Sequence, residues 1–326
     1  MQNIFDMQSS DYEDIADNTG FEAQRLQAEQ VDQHFAALDS EQRIRARCSI
    51  WWRDTANVNG SKTGAIGHYA ATDAEFGEAV LEHACRELKN RRCDMAVGPL
   101  DGNTWRRYRF ITERGAAKPF FLEPDNPDEW PEHFNQSGFS TLAHYVSEIN
   151  PDMANRQPEL GSLRDKFDEL GVQIDSVDVA NPLDDLVGIY NVVCESFKDA
   201  FMYTPLDIES YCSMYEPMLQ QVDPRLMLVA KHDEEVVGFI IAPPDYLQQQ
   251  YQNTIDAIVI KTVAVMPRKE YSGLGRVLIV DLLKNAIDMG FTTAISALMH
   301  TRNRSQKISS DCAGPMRAYA LFAREL

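Results

Sequence analysis

No stretch of this 326-residue chain approaches the ~18 uninterrupted apolar residues that a membrane span requires. Positive charge is scarce too. Lys and Arg number 31 against 50 Asp and Glu, a formal net charge of −19. Such a surface repels nucleic-acid phosphates and anionic lipid heads, so neither nucleic acid nor membrane is an expected partner; a cationic, amine-bearing one is tolerated. The opening residues lack the basic-then-apolar pattern of a secretory leader. Cysteine is limited to positions 48, 85, 93, 194, 212 and 312, with no C-x-x-C pair, which fits a reducing cytoplasm. With no H-E-x-x-H or comparable ligand spacing, no metal is expected. The absence of G-x-G-x-x-G and of G-K-S/T sets aside nicotinamide dinucleotides and P-loop nucleotides.

What is present concentrates in one segment. A mostly apolar extended run, Thr254 to Val265, ends at Pro267. The turn Arg268-Lys269-Glu270-Tyr271-Ser272-Gly273-Leu274-Gly275-Arg276 follows and opens directly into an apolar-periodic helix, Val277 to Met289. Glycines let the backbone turn tightly and approach a ligand closely. A helix start offers unpaired N–H groups and the positive end of its dipole to an anion, and a pyrophosphate suits that place. A further strand, Thr293 to Met299, ends in the polar cluster His300, Arg302, Asn303 and Ser305.

This order resembles the GCN5-related N-acetyltransferase (GNAT) superfamily, in which a strand, a pyrophosphate loop of the form Gln/Arg-x-x-Gly-x-Gly/Ala and a helix bind acetyl-coenzyme A. Gly273 and Gly275 take the two glycine positions, Val263, Val265 and Pro267 fit the preceding strand, and Glu270 stands where Gln or Arg is usual. The resemblance implies an α+β, mixed-sheet protein with the acyl-CoA N-acyltransferase fold. It implies that the loop amides of Tyr271, Ser272, Gly273, Leu274 and Gly275 hold pyrophosphate, with Arg268, Lys269 or Arg276 supplying positive field. The edge of Val263-Ala264-Val265 would bond the pantetheine arm and stabilise the developing oxyanion.

Beyond Asn303 the superfamily runs N-x-x-A-x-x-x-Y-x-x-x-G. Asn303, Gln306, Ser310 and Gly314 keep that spacing here, so serine replaces the general-acid tyrosine. Asn303 is expected at the cofactor. The acid is then Tyr319, Ser310 through a water, or absent; the run Arg317 to Arg324 reads as a strand, which places Tyr319 on it. His300, at a strand mouth, has the titration range of a general base, and equally reads as a hydrogen-bonding surface residue.

Upstream, Leu226 to Lys231 and Glu235 to Ala242 read as a hairpin, preceded by helices over Pro182 to Phe197 and Pro205 to Met218. In the superfamily the helix pair covers the acceptor site. Phe201, Tyr203 and Asp199, in the connection, are therefore candidate acceptor contacts, with a buried aromatic cluster as the alternative.

A break over Asn150 to Gly161, rich in proline, glycine and polar residues, suggests two domains, 1–150 and 151–326. The first echoes the second: strands Cys48 to Arg53 and Gly64 to Ala71, helix Glu75 to Asn90, strand Met95 to Val97, helix Glu129 to Phe139, strand Thr141 to Ile149. Only Thr72, Asp73 and Ala74 separate its second strand from its helix, so it reads as a degenerate copy without a cofactor loop. The loop from Val97 to Phe110 is denser in chemistry than a core needs. Trp105 and Tyr108 are candidates to stack on an acceptor and Arg106 or Arg107 to pair with a carboxylate, unless the loop is an interdomain packing patch. The chain thus resembles tandem acetyltransferase-like proteins. The implied activity is acyl-CoA-dependent N-acylation, foremost acetylation, of a small-molecule or peptide amine. The alternatives are a non-catalytic acyl-CoA-binding or scaffolding protein and a transferase of larger acyl or aminoacyl groups.

Overall fold

Two strand-and-helix units, one from each half of the chain, are joined through their last strands. The computed structural model describes residues 3–302 and 312–326, apart from residues 14, 16 and 18. The first half runs β1 (Asn3–Asp6), α1 (Arg25–Ala28), β2 (Gln33–Leu38), β3 (Ile44–Trp51), β4 (Thr63–Ala71), α2 (Ala74–Asn90), β5 (Met95–Gly98), β6 (Phe110–Glu113), α3 (Trp130–Gln136) and β7 (Ser140–Asn150). The second runs α4 (Leu163–Leu170), β8 (Gln173–Ser176), α5 (Pro182–Phe197), α6 (Ile208–Gln221), β9 (Met227–His232) and β10 (Glu235–Ile241). It closes with β11 (Ala257–Ile260), β12 (Thr262–Val265), α7 (Leu274–Asp288), β13 (Thr293–His300) and β14 (Gly314–Glu325).

Local chemistry explains the main elements. Asp73 caps α2 by accepting from the amide of Phe76, and Val80, Leu81, Ala84 and Leu88 are buried at helical spacing. In α7 the buried set Leu274, Val277, Leu278, Leu282 and Ala286 packs on β10 and β12. The run read as a single extended strand is two. Both Lys261, through its amide, and Thr262 stand opposite Ile241, a β-bulge that breaks the run into β11, parallel to β13, and β12, antiparallel to β10. The opening residues contribute β1, antiparallel to β2. Four mixed residues are too few to show a period, and only the partner strand makes them a strand.

A ten-stranded sheet has the order β1-β2-β3-β4-β5-β14-β7-β13-β11, with β6 also on β14; a second sheet runs β12-β10-β9-β8. The last strands trade places. β14 lies between β5 and β7 of the first half, while β7 pairs with β13 of the second. Both edges of β14 are hydrogen-bonded, and Tyr319, Ala320, Leu321 and Phe322 are buried among first-half residues. A polar bolt fixes the exchange. Arg317 donates to Glu123 at 2.8 Å with both side chains fully enclosed, and the Tyr319 hydroxyl donates to the other oxygen of the same carboxylate. Ser147 on β7 meets the Tyr319 hydroxyl at 3.1 Å and accepts from the amide of Leu298 at 3.0 Å.

A buried polar chain runs through the first half: the Tyr12 hydroxyl to His34 at 2.6 Å, His34 to Ser49 at 2.7 Å, Ser49 to His68 at 2.8 Å, and His68 to Glu29 at 3.0 Å. Burial holds His34 well below the ordinary histidine range, and the charges of Arg47 and His68 push it the same way.

Two outcomes follow. A chain ending in the 150–161 break lacks β14 and should show no cooperative melt by circular dichroism, while adding the complementary fragment restores one; an independently cooperative fragment contradicts the exchange. Folded His34 stays neutral while the unfolded chain takes up a proton below pH ~6.5. Its contribution is therefore complete above that pH and declines as pH falls, with a limiting slope of about 1.4 kcal/mol per pH unit. Urea midpoints of His34→Gln should fall less steeply than those of the parent between pH 6.5 and 5.

Candidate functional site

The bulge at Lys261 creates the site. Before it, β11 lies parallel to β13 as far as Ile260 beside Ser296; after it, β12 turns onto β10 while β13 continues along β7 to His300. The two strands splay, and a cleft of about 960 Å³ opens, lined by Lys261, Thr262 and Val263 on one side and by Leu298, Met299 and His300 on the other. β12 is the edge strand of its sheet. Met266 donates to Val237 at 2.8 Å and Ala264 stands opposite Phe239, so by antiparallel alternation the backbone groups of Val263 and Val265 face away from β10. The carbonyl of Val265 already accepts from the Ser196 hydroxyl at 2.9 Å.

The start of α7 stands beside this edge. A Cβ on Gly275 would lie 3.7 Å from the Val263 and Val265 side chains. Gly273, the N-cap, has φ +99 and provides no side-chain cap. The positive φ favours glycine, and a Cβ there would lie 2.6 Å from a terminal methyl of Leu163, which would have to shift. Leu274 and Tyr271 anchor the turn in the core, the Tyr271 hydroxyl meeting His232 at 2.8 Å. Glu270 is exposed. The loop's basic residues are partly committed: Arg268 holds Glu235 through two bonds of 3.0 and 2.6 Å, and Arg276 donates to the carbonyl of Glu159 at 3.1 Å. Lys269 is exposed, and Lys166, which the sequence did not single out, donates to the carbonyl of Ser272 at 2.9 Å.

In the first half the equivalent features are filled from within. The Asp73 carboxylate caps α2 where α7 has no side-chain cap. Along β4, the Leu100 amide donates to Ile66 at 2.8 Å and the His68 amide to Asp101 at 2.6 Å. A side chain at Gly67 would collide with Asp101 and the Leu100 carbonyl. Neither an anion nor an extended arm finds room there.

The acceptor side is shared by both halves. Trp105, Arg107 and Tyr108 line the cleft together with Phe201, Tyr203 and His300, residues separated by almost 200 positions. Trp105 is also the packing patch: its indole N–H donates to the carbonyl of Thr204 at 2.7 Å and its ring lies 5.8 Å from that of Tyr203. Arg107 donates to the carbonyl of Asp125. His300 packs edge-on to Tyr145 at 5.0 Å and its Nδ1 accepts from the amide of Arg302 at 3.0 Å. Burial, then the charges of Arg302 and Arg109, keep it below the ordinary histidine range. Neutral, with Nδ1 occupied, His300 carries its proton on Nε2 and acts as a donor.

Tyr319 does not line the cleft. It is fully buried on Glu123, and burial raises its phenol well above the ordinary range. Asn303 and Ser310 lie outside the described residues. Sequence reasoning missed Arg109, Tyr145 and Lys261 as cleft residues, the last donating to the Tyr215 hydroxyl at 2.9 Å. It also missed Glu29, His68 and Asp101, whose ligand atoms lie within 4.8 Å of one another. Arg25 reaches Glu29 at 2.7 Å and Asp101 at 2.9 Å, supplying the positive charge that a cation would bring. No local motif marks residues that meet only through the sheet.

Residues 188–308 match the model of the acetyltransferase (GNAT) family. None of the curated proteins matches the chain. A GCN5-related glucosamine N-acetyltransferase region of a fungal multi-domain GH3 β-N-acetylglucosaminidase superposes on 99% of this chain with TM-score 0.56 and 13% identity, this chain spanning 38% of that protein's length. A tandem GNAT protein from the clavulanic acid biosynthesis pathway covers 100% of this chain and is covered over 98% of its own, with TM-score 0.54 and 8% identity. A GCN5-related N-acetyltransferase from Sphaerobacter thermophilus gives TM-score 0.52 and 12% identity over 90% of this chain and 80% of its own. At these identities the likeness is one of fold.

Nuclear magnetic resonance titration should place the His300 midpoint below 6.5. In Arg302→Gln it should move up toward 6.5, since one of the cations that disfavour protonation is gone; an unmoved midpoint rules out that source.

Proposed function

We propose that this chain, a GNAT superfamily member of tandem two-domain architecture, is an acyl-CoA-dependent N-acyltransferase, foremost an acetyltransferase, whose second half alone takes the cofactor. One contrast carries the reading: β12 has no strand on its outer edge and the adjoining start of α7 has no side-chain cap, whereas their first-half counterparts are plugged by Leu100, Asp101 and Asp73. Acetyl-CoA fits the donor set. The amides of Gly273, Leu274 and Gly275, at the positive end of α7, would hold its pyrophosphate, with Lys269 and Lys166 nearby, whereas those of Tyr271 and Ser272 already donate to the carbonyls of Arg268 and Lys269. The backbone of Val263 and Val265 would pair with the pantetheine arm. When bound, the cofactor supplies an activated acyl thioester.

The chain's own residues then position the amine and handle its proton. Phe201, Tyr203, Trp105 and Tyr108 wall the acceptor space and exclude water. His300 donates from Nε2 and orients the acceptor. Asp199, exposed on the cleft wall, takes the amine's proton through water. Tyr319 acts at a distance by holding Glu123. A reducing cytoplasm suits the six free cysteines, and no helix among the described residues is long and apolar enough to cross a membrane. The occupied Nδ1 of His300 and the burial of Tyr319 favour a second reading, a protein that binds acyl-CoA without catalysis.

Gly275→Asp keeps a residue suited to a helix start while setting a carboxylate against pyrophosphate, a repulsion of about 3 kcal/mol at ~5 Å in a partly screened site. Calorimetry should show acetyl-CoA binding weakened about 100-fold with the melting temperature retained. Unchanged affinity removes the site. Thiol release from acetyl-CoA that rises with added amines supports the transferase; release indifferent to amine supports the binding protein.

A further inference from the structure

The cleft's charge runs against that of the protein. In a chain of net charge −19, its lining holds Arg106, Arg107, Arg109, Lys261 and Arg302 against Glu123, Asp125 and Asp199. Two of those acids are already answered, Glu123 by Arg317 and Asp125 by Arg114. Most of the bases are answered as well. Arg106 donates to the carbonyl of Glu29 at 2.7 Å, Arg107 to that of Asp125, and Lys261 to the Tyr215 hydroxyl. Arg109 differs. It is only 7% exposed, and among the described residues no carboxylate lies within 4.0 Å of it.

Its guanidinium sits in the corner between two perpendicular rings, 3.8 Å from the ring centre of Tyr108 and 4.4 Å from that of Tyr145. One nitrogen, Nη1, donates to the carbonyl of Leu298 at 2.9 Å, and Nε has no hydrogen-bond partner. The backbone is bent to put it there: Arg109 has φ +67, and Leu298, where β13 bulges against β7, has φ +56. A buried cation normally sits on an anion, because desolvation is otherwise uncompensated. Arg317, equally buried, obeys that rule with Glu123. Ring faces and one carbonyl offset part of the cost for Arg109 and leave its charge unneutralised.

We propose that the acceptor amine carries a carboxylate, which Arg109 binds, and that this pair selects the substrate. The inference rests on the transferase reading and narrows its acceptor to amino-acid-like amines with an apolar body, which Phe201, Tyr203 and Leu298 would cover. It reverses the expectation drawn from bulk charge, because the local field at the cleft floor is positive.

The test uses matched pairs, leucine and phenylalanine against leucinamide and phenylalaninamide, with the full-length protein. Thermal shift by each compound is read alone, and thiol release is read with acetyl-CoA. The acids should be preferred about 100-fold in kcat/KM. Arg109→Gln should erase that preference through KM, leave the amides unaffected and keep cooperative melting; Arg109→Lys should restore part of it. Amides used or bound as well as acids, equal losses for both in Arg109→Gln, or no response to either class overturns the proposal. A shift with the acids but none with acetyl-CoA supports the carboxylate site while sinking the transferase reading.

Discussion

The placement of β14 between β5 and β7 is the constraint on which the site depends. Arg317 and Tyr319 on that strand clasp Glu123 of a first-half loop, and the clasp is wholly removed from water. Burial raises the Glu123 carboxyl even though Tyr319 and Arg317 act to lower it. A charge pair of this kind adds little net stability and penalises every arrangement that breaks it. Because β14 is held there, β7 is left to pair with β13, and the loop carrying Trp105 and Arg109 is carried across to the mouth of the second half.

The two halves show how small the difference is between an uncapped helix start beside an edge strand and a packed core. Both bend a strand next to a helix start. In the second half no strand pairs with the outer edge of β12, where Ser196 holds only the Val265 carbonyl, and glycine at positive φ begins the helix. In the first, one carboxylate sits on the helix amides, and Leu100 and Asp101, just past β5, continue alongside β4 and bond to Ile66 and His68. The first half meets its hydrogen-bond demand internally, and the second leaves part of it without a partner strand or a side-chain cap.

Legibility followed length and period. The helices 75–90 and 182–197 and the strands 64–71, 235–242 and 317–324 were readable because each repeats its pattern over several residues. The strands β1, β2, β6 and β8 and the helix α4 were not, being short or uniformly buried and held by partners far away in sequence. The run 254–265 read correctly as extended but gave no sign of its break at Lys261, since a bulge is set by register against β10. In the loop 97–110 the sequence drew attention to Arg106 and Arg107 as the carboxylate binders. Arg109 differs from them only in being enclosed by Tyr108 and Tyr145, a matter of packing.

By itself the sequence determined the local grammar: a β-branched strand, a glycine turn, a helix start fit for an anion, and an echo of that plan without the turn. These are effects of neighbours a few residues apart, for which backbone conformation and periodicity suffice. Which strand lies beside which, and therefore which side chains share the cleft, was decided only by the tertiary structure. The exchange of last strands brings residue 109 to residue 298 and residue 105 to residue 204. Contacts of that range depend on burying whole sheet faces at once, and no single stretch of chain encodes them.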